Sequence, residues 1–449
     1  MVIKKAELMD MLNCREKRAA KQTELINEYK KPVVCICMNI AGEVKRTPGI
    51  DILFRHGCEA YEAEVAAMLG SSAEQAPGRR PGAVYRELVF AHTGPEAFYV
   101  FDTEDAELLK DAGIKIEETG PEGRLFDIDI IGTGGQKLSR PAARRCIVCG
   151  GPVADCARSR AHGLDIIKAA ANAIIADFLC EKLADSACEA LKAEAKLSPK
   201  PGLVDSLNSG SHKDMDLPML LASAEALRPF FARFAREFAC GDKSLENLIK
   251  NGVEAEKAMF KVTDGVNTHK GAIFAFALYI AAIAKSCFDG SDVLETVKEL
   301  AAQKAASMAG SGAKNEEKST HGDEVRSRYG AKGAVEDALQ GFPMAHMAGA
   351  ILAAHKTGIQ EDAQLYALCR IMAELDDSNV LYRAGQEGLD WVKQQAENLL
   401  EQTAEDRKAT MAELNAEFVQ RNISSGGAAD MLALGIFLAE YSDLLYTES

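Results

Sequence analysis

Ser198-Pro-Lys-Pro-Gly-Leu-Val-Asp205, continued by Gly210-Ser-His-Lys-Asp-Met215, decides how this 449-residue chain is read. Two prolines within three residues cannot continue a helix, and Gly202 frees the backbone beside them. An irregular loop must therefore follow the helical pattern that ends near Lys196. Into that loop the chain puts Lys200, Asp205, Ser211, His212, Lys213 and Asp214. Such a density of cationic, imidazole and carboxylate groups on a bent loop suits phosphate contact, metal binding and proton transfer. A solvated turn between two helices is the alternative.

Outward from the loop, helical spacing dominates. Residues 163–196 carry Ile166, Ile167, Ala170, Ile174, Phe178 and Leu179 on one stripe. Amphipathic or apolar runs follow at 217–239, 247–262, 271–284, 345–355, 362–374 and 387–418. Asn267 or Thr268 is placed to cap the apolar run, which would turn His269 and Lys270 outward at a positive helix end. Residues 301–319, rich in Ala, Gly, Lys and Glu, are expected to contain a mobile loop. The stretch 321–336, dense in both charge signs, reads as a salt-bridged surface loop or a lid over a polyphosphate. Asn422-Ile-Ser-Ser-Gly-Gly-Ala-Ala-Asp430 caps a last helix. No strand pattern appears beyond residue 165, so 164–449 is expected to be an all-α helical bundle.

Residues 1–163 read differently, as an α+β domain with a small mixed sheet and helices. A polar helix over 4–30 precedes the β-branched run Val33-Val-Cys-Ile-Cys-Met-Asn-Ile40, a helix covers 52–69, a loop 71–82, and a strand Ala97–Phe101. In Gly123-Arg-Leu-Phe-Asp-Ile-Asp-Ile-Ile131, alternation sets Phe126, Ile128 and Ile130 on one face and Asp127 and Asp129 on the other. Two carboxylates so spaced can hold one hard cation such as Mg²⁺ against a substrate phosphate, or merely form the polar face of an edge strand. Gly132, Gly134 and Gly135 permit close backbone approach, while Arg140, Arg144 and Arg145 offer phosphate-pairing groups. Cys146, Cys149 and Cys156 with His162 offer a zinc site or three ordinary reduced thiols.

A net charge of −15 argues against a general partner for nucleic acid or acidic membranes. The charged N-terminus is unlike a secretory leader, and the apolar run 271–284 is short for a membrane span. Twelve cysteines are then expected as reduced thiols in a cytoplasmic protein.

Two resemblances bind these features together. Asn39-Ile-Ala-Gly-Glu-Val-Lys45, Gly123–Asp129, Ser139-Arg140 and the run from Cys146 to His162 resemble the citrate lyase holo-acyl-carrier-protein synthase family over residues 5–165. That resemblance implies a phosphoribosyl-dephospho-CoA transferase. It would modify a serine of the citrate lyase acyl-carrier (gamma) subunit and release pyrophosphate, with Asp127 and Asp129 carrying Mg²⁺. Ala41 stands where that family usually has proline.

The second resemblance rests on Pro199–Asp205, Gly210–Met215, Gly265-Val-Asn-Thr-His-Lys-Gly271, Arg328-Tyr-Gly330, Asp377-Ser-Asn-Val-Leu-Tyr-Arg383 and Asn422–Gly427. These are similar to the triphosphoribosyl-dephospho-CoA synthase family, departing at Ser378 and Ser425. The resemblance implies condensation of ATP with 3′-dephospho-CoA and loss of adenine. The resemblance identifies the positions, and the chemistry suggests their roles: Lys200, Lys270 and Arg328 are expected on phosphate, Asp205, Asp214 and Asp377 on Mg²⁺ or base duty, and His212 and His269 on proton transfer or phosphate contact. Competing expectations are a metal-dependent helical nucleotide hydrolase and a zinc-binding module that docks the carrier protein.

Overall fold

In the computed structural model, residues 1–70, 82–310, 328–329, 333–355 and 360–446 are described. The loop expected at 71–82, that beyond 310 and most of the 321–336 stretch lie outside them. Two compact units divide the chain. The first takes Met1–Leu179 with Ser286–Ser291, the second Cys180–Lys285 with Asp292–Ser449. The division falls inside the helix Leu164–Lys196, rather than at the expected junction near residue 164.

In the first unit α1 (Leu8–Tyr29), β1 (Val33–Met38), α2 (Pro48–Met68), β2 (Ala83–Ala91), β3 (Gly94–Phe101), α3 (Ala106–Glu118) and β4 (Phe126–Ile131) follow in order. Neither β2 nor α3 is expected from the residue pattern. Helix α2 starts earlier than expected because Thr47 caps Ile50 N–H at 3.3 Å and Pro48 fits the first turn. The sheet order is β2-β3-β1-β4, and every pairing is antiparallel, which corrects the expected mixed sheet. Strands β3 and β4 do run parallel, but β1 occupies the slot between them, so each meets a reversed neighbour.

Register then assigns the faces. Tyr99, Val34, Ile36, Ile128 and Ile130 pack with Phe101 and Tyr61, whose rings meet at 6.0 Å. On the opposite face Leu25 and Ile26 of α1 cover Val33, Cys35, Phe98 and Val100. Asp127 and Asp129 lie on this second face, opposite Cys37 and Cys35.

Helix α4 (Val153–Ser159) is followed by α5 (Leu164–Lys196), α6 (Leu217–Ala239), α7 (Leu245–Val262), α8 (Lys270–Asp289) and α9 (Val293–Gly310). Helix α9 reaches into the expected 301–319 loop. After it come Ala334–Leu339, Pro343–Ala354, Gln360–Glu374, Ser378–Leu400, Ala404–Gln420, Gly426–Glu440 and Ser442–Leu445. The helix expected over 387–418 is two, because Thr403 caps Asp406 N–H at 3.2 Å and starts a new one. No strand follows β4 among the described residues, as expected for an all-α unit. Helix α8, at 20 residues, is long and apolar enough to cross a membrane, contrary to the expectation from its apolar run. Its Phe276, Tyr279, Ile280 and Ile283 are instead buried in the protein core.

Candidate functional sites

The acid pair of β4 sits where a glycine turn doubles back. Gly135 N–H donates to Gly132 O at 2.8 Å, and Leu138 N–H to Ile130 O at 2.9 Å. Gly135 takes φ +80° to close this turn. The returning chain brings Lys137 Nζ to 2.6 Å from Asp129 Oδ1. Arg144 donates to Phe126 O and approaches Asp127 Oδ1 at 3.7 Å.

Beneath them the buried Glu117 is shared. It accepts from Ile128 N–H at 2.7 Å, from Arg140 at 2.8 Å and from Arg144 at 2.8 Å. Arg140 also meets Glu118 at 2.6 Å, so its cation is already neutralised inside the unit. Asp127 and Asp129 keep side-chain exposures of 47% and 20%, leaving their oxygens open to a cation or phosphate. The expected pair is therefore assembled with Arg144 and with Lys137, a lysine that the sequence did not single out.

Next in the chain, Cys146, Cys149, Cys156 and His162 bring one ligand atom each within 4.8 Å of one another. All three cysteines are free thiols, and Cys149 Sγ lies 3.4 Å from Cys156 Sγ.

The opening loop of the second unit is held by its own side chains. Asp205 accepts from Lys200 N–H at 2.9 Å, Leu207 N–H at 2.7 Å and Asn208 N–H at 2.9 Å. Those bonds give it a loop-shaping task, and it does not line the cavity described next. Lys200 is buried, its ammonium donating to Glu194 O at 2.6 Å and to the Glu194 carboxylate.

A cavity of about 1050 Å³ opens beside the loop. Glu194, Lys200, His212, His269, Lys270, Asp377, Arg383 and Asp430 reach it; Asp214 and Arg328 do not. Asp214 stays exposed, 3.8 Å from His212 Nδ1, and Arg328 lies over the Tyr329 ring at 5.2 Å.

Several helix starts line the cavity, among them Lys270–Gly271 of α8, Ser378–Asn379, and Gly426–Gly427. Their positive ends make a place for anions. Asn267 accepts from Lys270 N–H at 3.2 Å and is the cap of α8. His269 does not turn outward as expected. It is buried, with Nδ1 2.8 Å from Ser223 Oγ, because Met259 and Ser223 close over it. Burial, with Lys200 nearby, pulls its imidazole down to about 4. His212 shares 2.8 Å with Ser424 Oγ and 3.4 Å with Arg383. Burial and then that guanidinium push its basicity down as well.

Asp377 joins two helices. It accepts from Asn379 N–H at 2.8 Å at one start and from Ala428 N–H at 3.0 Å at the other. Burial raises its carboxyl although these N–H groups oppose the rise. Asp430 accepts no hydrogen bond among the described residues, and a side chain at Gly271 would meet it at 2.3 Å. Burial, then Glu194 and Asp377, push its carboxyl well above the ordinary range. Asp430, Arg383 and Glu194 went unassigned by sequence reasoning. The first two stand at the ends of quoted motifs, but Glu194 sits within a plain helical pattern and carries no signal.

Family models match the two units separately. "Apo-citrate lyase phosphoribosyl-dephospho-CoA transferase" matches residues 6–178, and "ATP:dephospho-CoA triphosphoribosyl transferase" matches 180–448. The chain is 35% identical to "Protein CitXG" of Haemophilus influenzae over 97% of both chains. It is 28% identical to "Protein CitXG" of Leuconostoc mesenteroides subsp. cremoris, over 96% of both. To "2-(5''-triphosphoribosyl)-3'-dephosphocoenzyme-A synthase" of Haemophilus ducreyi it is 34% identical, over 65% of this chain and 97% of that one. The boundary between the matched regions coincides with the division after Leu179, and each region carries its own cluster of charged groups. The chain thus belongs to the CitXG family, in which an apo-citrate lyase phosphoribosyl-dephospho-CoA transferase is fused to a triphosphoribosyl-dephospho-CoA synthase.

Proposed function

We propose that this chain builds the citrate lyase prosthetic group in its second unit and attaches it to the acyl-carrier subunit with its first. In the building step a ribose hydroxyl of 3′-dephospho-CoA bonds to the anomeric carbon of ATP's ribose. The bond from that carbon to adenine breaks, and adenine leaves with the electron pair and gains a proton. In the attachment step a serine hydroxyl of the carrier bonds to phosphorus and pyrophosphate leaves. A cytoplasmic setting, where ATP and dephospho-CoA are made and thiols stay reduced, suits both steps.

The observation that carries this proposal is the meeting, in one cavity, of the helix starts at Lys270, Ser378 and Gly426 with carboxylates that include Glu194, Asp377 and Asp430. Lys270, Arg383 and the helix N–H groups hold the triphosphate. Asp430 is the base for the attacking hydroxyl, since its raised affinity for protons and open oxygens suit that task. Lys200 balances Glu194 and so keeps the acidic wall from repelling ATP. Asp205 and Asp214 serve the loop and its rim, and His269 shapes the pocket as a neutral ring.

Mg²⁺ fits the donors at both places: Asp127 and Asp129 keep exposed carboxylate oxygens, and Asp430, which accepts no hydrogen bond among the described residues, lines the cavity beside the buried Asp377. When bound, it neutralises polyphosphate charge. In the first unit Arg144 and Lys137 screen the phosphates beside the acid pair and meet the charge that grows on departing pyrophosphate. Neither step needs zinc as a Lewis acid.

Incubation of the protein with ATP, dephospho-CoA, Mg²⁺ and the apo carrier subunit tests the proposal. Free adenine and a carrier heavier by the phosphoribosyl-dephospho-CoA mass are expected. Free ribose triphosphate with an unchanged carrier would overturn it in favour of a nucleotide hydrolase.

A further inference from the structure

The chain between β4 and α5 has little apolar material to hold it. From Leu138 to Gly163, Cys146 is the one buried apolar residue, and the segment's helix, α4, buries none. Its order comes from a tight knuckle. Cys146 N–H donates to Gly151 O at 2.7 Å, Gly150 N–H to Cys146 O at 2.9 Å, and Val153 N–H to Arg144 O at 3.0 Å. Val148 N–H points at Cys146 Sγ at 3.4 Å. An amide aimed at sulfur favours thiolate over thiol.

The ligand atoms of Cys146, Cys149, Cys156 and His162 converge within 4.8 Å. Ligands at zinc–sulfur distance on a tetrahedron stand about 3.8 Å apart, which fits this spacing. Disulfide bonding does not explain the grouping: the Cys149–Cys156 separation of 3.4 Å is far from a bond, and Cys146 and His162 converge on the same point. His162 Nε2 adds a second, independent sign. It is buried and makes no hydrogen bond, which is costly for an imidazole nitrogen unless something else binds there.

We propose that these four side chains bind one Zn²⁺ tetrahedrally, as a structural clip rather than a reaction centre. The clip ties the knuckle to α4 and to the approach to α5. Arg144 lies two residues before the first ligand, and its carbonyl is bound by Val153 beside the third. The metal therefore sets the backbone from which Arg144 reaches Glu117 and Asp127. The metal claim stands on the cluster alone; the consequence for Arg144 rests on the transfer activity proposed above.

The test is elemental analysis of the full-length protein, purified under reducing conditions with zinc in the growth medium. About one zinc per chain is expected in the wild type and near none in the Cys149→Ser/Cys156→Ser variant. Cobalt substitution should give the intense visible bands of a tetrahedral thiolate site. His162→Cys, which keeps four ligands, should retain zinc, and His162→Ala should bind it more weakly. Zinc-free variants should keep adenine release, which reports an intact second unit, and lose carrier modification. Zinc no higher in the wild type than in the double serine variant would overturn the proposal. So would a thiol titration showing a Cys149–Cys156 disulfide in protein prepared without reductant and free of metal. Zinc bound normally in a protein that modifies no carrier would instead count against the transfer function.

Discussion

Asp430, proposed above as the base, links stability and activity through one carboxyl whose proton affinity is raised in the fold. Its acid form is favoured in the fold, so the folded state binds its proton more tightly than the unfolded chain does. Stability from this group is present below the unfolded value and is lost as pH rises. Asp430→Asn removes that loss while keeping the shape. The variant is expected to melt higher than wild type at pH 8, with the difference closing towards pH 4. Its adenine release should fall by at least about 100-fold, as for loss of a general base. Equal adenine release by chromatography would remove Asp430 from the mechanism. His269 has the opposite sign. Its proton affinity is depressed in the fold, to about 4, so the unfolded chain binds more protons between there and its usual value near 6.5. Stability contributed by the neutral ring is present above that window and lost as pH falls through it. His269→Gln should flatten the slope of denaturation free energy against pH in that range, where wild type loses about 3 kcal/mol. Above pH 6.5 the wild-type pH–rate profile should carry no ionisation from this histidine.

At the scale of elements, the loop after α5 is built on a close approach that only glycine permits. Gly210 sits at φ +53°, and a Cβ there would lie 2.5 Å from Leu203 O and from Gly202 backbone. Neither neighbour can yield, because Gly202 N–H is held by Asn415 Oδ1 at 3.0 Å. Gly210→Ala should cost about 2–4 kcal/mol in chemical denaturation and displace His212, raising KM for ATP. This loop was legible in advance because proline and glycine restrict the backbone wherever they occur. Much of the helical unit was legible too, since an amphipathic stripe needs only its own residues to be seen. Strand β2 was not, because its faces are only half-buried and its alternation is blurred. Helix α3 was hidden by Gly113 and by buried Lys110 and Glu117, whose burial makes sense only with partners on β4. The same limit explains the site. His269 and Lys200 were singled out in the sequence, but whether such residues face substrate or a partner such as Ser223 or Glu194 is decided by distant packing. Asp377 was read as a metal or base residue, and its second role of joining two helix starts through Ala428 is likewise long-range.

For the molecule as a whole, an acidic chain works on polyanions twice by keeping its cations local. Lys137 and Arg144 stand beside the acid pair of β4, and Lys270 and Arg383 line the cavity of the second unit. The two chemistries should therefore be separable by substitution within the intact protein. Asp127→Asn/Asp129→Asn is expected to release adenine at the wild-type rate and leave the carrier unmodified. Asp430→Asn should do neither from ATP, yet modify the carrier when supplied with the preformed triphosphoribosyl compound. A mixture of the two variants should restore modification from ATP, because the intermediate made by one can be taken up by the other. Chromatography reads adenine and mass spectrometry of the carrier reads modification in all three cases, and no restoration in the mixture would mean that the intermediate never leaves the chain that made it.

Helix α5 belongs partly to each unit, with Leu179 the last residue of one and Cys180 the first of the other. Phe178 packs its ring 5.0 Å from His56, and Leu179 presses against Gly49. An engineer who severs the polypeptide at Gly163 would thus strand those side chains on the wrong fragment and leave bare hydrocarbon on α2. Placing the cut after residue 179 would interrupt a continuous spiral instead. Either half expressed alone needs a replacement cap or an overlapping duplicate of that rod, which makes the fusion easier to inherit whole than to divide.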